Sequence, residues 1–91
     1  MPTLTLDDYV ARVEGTCGAE KDVIVFFKYE RKDEAIANIL KKAKVTNKIA
    51  GIIFELSFEN FSFRLYTSGK AIFRGVKNRE ELNRVLSKML L

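Results

Sequence analysis

Along residues 61–66 the chain alternates strictly: Phe61, Phe63 and Leu65 take one side, Ser62, Arg64 and Tyr66 the other, and alternation resumes at Ala71. A period of two marks a strand with one covered face. The intervening Thr67-Ser68-Gly69-Lys70 predicts a hairpin turn, with Gly69 free to take the positive φ that a tight turn needs. Closed on Ser68-Gly69, the hairpin sets Ala71 and Phe73 beside the apolar set, and Ile72 and Arg74 beside the polar one. Upstream, Ile52, Phe54 and Leu56 extend the covered side while Ile53, Glu55 and Ser57 extend the other. Three consecutive antiparallel strands follow, apolar on one face and polar, aromatic and basic on the other.

Elsewhere the period lengthens. Thr5 and Asp8 make a T-x-x-D start and Leu6, Tyr9, Val10 and Val13 fall on one stripe, which predicts a capped N-terminal helix stopped by Gly15-Thr16-Cys17-Gly18. Val23, Ile24, Val25, Phe26 and Phe27 form a continuous apolar run. It is short enough to be a strand buried on both faces or paired against another chain. Ala35, Ile36, Ile39, Leu40 and Ala43 recur at helical spacing, with Lys41, Lys42 and Lys44 gathered at the C-terminal end, where cations suit the helix dipole. Residues 45–48 read as a polar link. Asn78, with Glu81 three residues on, caps a last helix whose stripe is Leu82, Val85, Leu86, Met89 and Leu90. The order is α-β-α-β-β-β-α. It predicts an α+β domain, an antiparallel sheet of about four strands with helices packed on one face. Residues 1–20 are its N-terminal helical extension and residues 21–91 the domain proper.

Composition narrows the chemistry. A chain of 91 residues makes one domain, able to bury roughly 60–65% of the surface its unfolded form exposes. With one cysteine and no histidine, it has no intrachain disulfide and no ligand set for zinc or an iron–sulfur cluster, so neither metal nor cofactor is expected. Cys17, between Thr16 and Gly18, reads as a small loop residue. The start of the chain lacks a secretory apolar core, and no run approaches the ~18 apolar residues of a membrane span. A soluble cytoplasmic protein is expected. The net charge of +4 leans towards an acidic partner, diluted by twelve acidic side chains. Carboxylates are scattered at turns and helix starts with no nucleophile–base constellation, so no enzymatic activity is expected. Ser68-Gly69-Lys70 is no phosphate loop either: in G-x-x-x-x-G-K-[ST], Arg64 stands at the first Gly and Ala71 at the Ser/Thr.

Gly51-Ile52-Ile53-Phe54, Ser68-Gly69-Lys70, Gly75-Val76-Lys77 and Glu80-Glu81 together resemble, in type and spacing, one half-repeat of the TATA-box-binding protein family. The resemblance covers about 40 residues closely, extends more loosely to residues 22–27 and 33–44, and leaves the first twenty unexplained. It implies a curved sheet whose free face sits on the minor groove of DNA, with apolar wedges between base steps. The wedge positions fall on Ile49 and Tyr66, and the groove contacts on Ser62, Arg64, Ile72 and Arg74. Two arginines and Glu55 give this face a more charged chemistry than an apolar groove floor.

The expected function is nucleic-acid binding through the free sheet face at Ile49, Ser62, Arg64, Tyr66, Ile72 and Arg74, with DNA ahead of RNA. Lys41, Lys42, Lys48 and Lys70 are candidate phosphate contacts. A protein-interaction module without nucleic acid is the alternative, since alternating polar residues are also what any solvated sheet face shows. The family joins two repeats through their first strands. A lone repeat would leave Val23, Ile24, Val25, Phe26 and Phe27 as an open apolar edge, which predicts a homodimer paired through that strand, unless the N-terminal helix folds over it.

Overall fold

A computed structural model of the chain describes residues 5–15, 18 and 21–91. Its elements are α1 (Leu6–Tyr9), β1 (Val10–Gly15), β2 (Asp22–Phe27), a 3-10 turn (Tyr29–Arg31), α2 (Lys32–Lys42), β3 (Lys44–Ile49), β4 (Ile53–Phe58), β5 (Phe61–Tyr66), β6 (Lys70–Arg74) and α3 (Arg79–Leu90). The strands form one six-stranded sheet in the order β1-β2-β6-β5-β4-β3, and every pairing is antiparallel. The α+β class and the hairpin are as the alternation predicts, except that the loop is Thr67-Ser68-Gly69, with Tyr66 opposite Lys70, and not Ser68-Gly69 alone. Gly69 takes φ 111° in the turn, its N–H donates to the Tyr66 carbonyl at 3.0 Å, and its own carbonyl accepts from Phe27 N–H at 2.9 Å.

One sheet face is the floor of the core. Val23, Val25, Leu56, Phe63, Leu65, Ala71 and Phe73 are buried there under Ala35, Ile36 and Ile39 of α2 and Leu82, Val85, Leu86 and Met89 of α3. The Phe63 and Phe73 rings stack with centroids 4.5 Å apart, an aromatic pair worth about 0.5–1.5 kcal/mol beyond its buried area. The cap of α3 forms as expected, Asn78 Oδ1 accepting from Glu81 N–H at 2.9 Å.

Four expectations change, and the first two together raise the strand count. The sheet has six strands because two segments of other predicted type became its edges. The N-terminal helix stops after one turn: the Thr5 and Asp8 cap forms, with Thr5 N–H donating to Asp8 Oδ2 at 2.7 Å, but β-branched Val10 and Val13 then run as β1 along β2. Tyr9 fixes this corner; it is buried and its hydroxyl donates to Glu34 Oε1 on α2 at 3.0 Å. Residues 45–48 are not a link but part of β3, paired with β4 through a bulge between Val45 and Asn47. Ile52, expected on the covered face, lies in the β3–β4 turn and is 56% exposed.

The fourth correction concerns assembly. Val23, Ile24, Val25, Phe26 and Phe27 are not an open edge, since β2 pairs with β1 on one side and β6 on the other. Its backbone groups are spent within the chain, so the strand-to-strand pairing expected there has no open edge to use. The burial pattern of β2 shows why the run is so apolar: Val23, Val25 and Phe27 enter the core while Ile24 and Phe26 lie on the other face, half-buried. The loop role read for Cys17 falls outside the described residues.

Candidate nucleic-acid interface

The sheet face opposite the helices is built by the same period of two that builds the core. Because Phe63, Leu65 and Phe73 are buried, Ser62, Arg64, Tyr66, Ile72 and Arg74 share the open face. Cross-strand register orders that face into rows. One row runs Glu14, Ile24, Ile72, Arg64, Glu55, Asn47 from edge to edge. The next runs Arg12, Phe26, Lys70, Tyr66, Ile53, Ile49. Ile49, predicted as a wedge position, therefore lies in line with Tyr66, the other one, with Ile53 between them.

The two rows differ in charge. In the first, Arg64 faces Glu55 with Nε 4.0 Å from Oε2, and beside that row Arg74 faces Asp22 with Nε 3.9 Å from Oδ1. These partly exposed pairs stabilise the fold by only about 0–1 kcal/mol. They do divert each guanidinium towards a carboxylate of the same face. With Ser62 and Ile72 the four charged side chains rim a shallow depression of about 360 Å³.

The second row carries no acid. Its two cations lie over its two aromatic rings: the Arg12 guanidinium carbon is 4.4 Å from the Phe26 centroid and the Lys70 ammonium 4.9 Å from that of Tyr66. Such contacts contribute about 0.5–1 kcal/mol when exposed. They present ring and cation as one continuous surface. Arg12 also reaches back to Glu14 in the neighbouring row at 3.8 Å, whereas Lys70 makes no ion pair among the described residues. Phe26 and Tyr66 stand two strands apart, on the order of 10 Å given the spacing of strands in a sheet.

Three of the four candidate phosphate lysines lie off this face. Lys41 and Lys42 end α2 in the helical layer. Lys48 is opposite Phe54 and places its ammonium 5.5 Å from that ring, so it points to the helix side, being out of phase with Asn47 and Ile49. Lys70 is the one that joins the face. Arg12 and Phe26 were not among the predicted contacts, Arg12 because its segment has a helical stripe and Phe26 because its strand is uniformly apolar. The available signal was Val10, Arg12, Val13 and Glu14, a mixed pattern that a paired edge strand also satisfies.

Among the described residues no three His, Cys, Asp or Glu side chains are placed to hold a metal ion, and no helix is long and apolar enough to cross a membrane. No protein-family model, curated protein or solved structure matches the chain.

Proposed function

We propose that this chain binds nucleic acid on its open sheet face, without catalysis, by stacking bases on Phe26 and Tyr66 and contacting phosphate with Lys70. The observation that carries this is the acid-free row in which two aromatic rings alternate with two cations across β1, β2, β6 and β5. Base–aromatic stacking contributes about 1–3 kcal/mol per base, and it needs bases whose faces can be reached. Ile49 and Ile53 continue the row as apolar contacts at the β3 edge.

A fold of the TATA-box-binding type is part of the same proposal. It is supported by Ser68-Gly69-Lys70 turning β5 into β6 and by Glu80-Glu81 opening α3. DNA stands ahead of RNA on that resemblance alone. A protein partner is the competing reading. What favours it is the internal pairing of Arg64 with Glu55 and of Arg74 with Asp22, together with the apolar Ile24, Ile72, Ile53 and Ile49 around them.

Fluorescence anisotropy with single-stranded DNA, duplex DNA and RNA at two salt concentrations tests the proposal. Phe26→Ala combined with Tyr66→Ala should weaken binding at least about tenfold, from two lost stacking contacts. Circular dichroism checks that the variant folds. Unchanged affinity in a folded double variant, or no binding to any of the three at low salt, excludes nucleic acid from this face.

A further inference from the structure

Among the described residues β1 and β3 are the two edges of the sheet, and each presents backbone groups with no strand beside them there to anything that can add one. They are guarded differently. Lys44–Ile49 carries Lys44 and Lys48, no acid, and a bulge between Val45 and Asn47. Two copies of it have no cation and anion to pair across the new ladder. Val10–Gly15 instead places one cation and one anion, Arg12 and Glu14, on the same face two residues apart, both exposed.

We infer that β1 is a self-association edge, and that a second copy of this chain pairs antiparallel to it about a two-fold axis at Val13. With Val13 opposite its own counterpart, Arg12 of each copy faces Glu14 of the other, and both charge pairs form by symmetry. The neighbouring registers are disfavoured by the same residues. A shift of two positions sets Arg12 against Arg12 or Glu14 against Glu14, where like charges directly opposite destabilise. A shift of one position pairs core-facing with open-face residues.

The apolar side of the strand favours the same occupant. Val10 and Val13 are only half-buried, and with Leu6, Leu86 and Leu91 they line a groove of about 580 Å³ between β1 and α3. Pairing at Val13 brings the valine of the second copy over this groove, covering apolar surface that one copy leaves wet. The bulge between Val10 and Arg12 limits the ladder to the end of the strand that holds the charge pair. The open faces of two copies then become one continuous surface, with Arg12 and Phe26 close to the axis. This assembly does not depend on what that surface binds.

Sedimentation velocity over micromolar concentrations tests it. The protein as it stands should self-associate reversibly to a dimer. Arg12→Glu and Glu14→Arg should each weaken the dimer about tenfold or more, as two attractions become two repulsions. The two substitutions combined in one chain should restore it, because the swapped charges again face each other across the axis. In a Cys17→Ser background, Val13→Cys should cross-link two copies on oxidation and Asn47→Cys should not. A monomer at every concentration, single variants without effect, a double swap that fails to recover, or cross-linking through Asn47 each overturns the proposal.

Discussion

Gly15 closes β1 at φ 93°, and a β-carbon there would run into the backbone carbonyl oxygen of Asp22. Gly51 takes φ 73° in the β3–β4 turn with nothing within 4 Å of where its β-carbon would be. The two positions separate conformational strain from collision. An L-residue in the left-handed region costs about 1–2 kcal/mol, so Gly51→Ala should destabilise by about that much in urea titration. Gly15→Ala should cost clearly more, since backbone must move to admit the methyl group. Equal losses would mean that the β1–β2 junction yields easily. Neither glycine's role is visible from residue type alone: Gly15 was legible as a stop signal, but what it stops is a strand.

At the scale of elements, β4, β5, β6, α2 and α3 were legible because their periods are clean and their ends carry caps and turns. The edges were not. β1 continues a helical stripe that opens with a helix cap at Thr5 and Asp8, and only the vacant side of β2 makes the extended form the better use of Val10 and Val13. β3 is mostly polar, with Val45 and Ile49 its apolar residues, and exposed at every position; it exists because β4 offers a ladder. The turn between β4 and β5 is held by charge: Glu59 accepts from Lys88 Nζ at 2.9 Å and from Arg84 at 3.0 Å, tying the hairpin to α3. Those bonds, the Lys88 one first, lower the Glu59 carboxyl below its ordinary value of 4.5. A carboxyl lowered in the folded state stabilises the fold above its unfolded value, and that stabilisation is lost as pH falls through the folded one. Wild type should therefore exceed Glu59→Gln in stability by a constant margin from about pH 7 to about pH 5, and the margin should close on acidification below 4.5. Urea titrations across that range check it. A margin that survives at the acid end would show that Glu59 acts through something other than its charge.

On the scale of the whole molecule, the open face was half legible. Arg64, Tyr66 and Arg74 followed from alternation within one hairpin, whereas placing Arg12 and Phe26 beside Lys70 requires knowing that β1 and β2 pair next to β6, a long-range fact that no local period encodes. That difference decides which cations can meet a phosphate. Arg64 and Arg74 each have a carboxylate at hand, so a phosphate would have to displace Glu55 or Asp22, and little counterion is released in the exchange. Lys70 carries no such partner among the described residues. Each phosphate neutralised by an unpaired cation contributes about 0.7–0.9 to the slope of log affinity against log salt. Lys70→Ala should accordingly lower the slope by nearly one unit of that size. Arg64→Ala with Arg74→Ala should weaken binding at low salt, because Glu55 and Asp22 are left to repel the ligand, yet change the slope by less than one unit for the two together. The double variant should stay folded, as surface changes of this kind cost within about 0.5 kcal/mol. Anisotropy titrations over a salt series measure both slopes. The reverse ranking, a large slope change for the arginines and none for Lys70, would move the phosphate path off the aromatic row and onto the depression between Arg64 and Arg74.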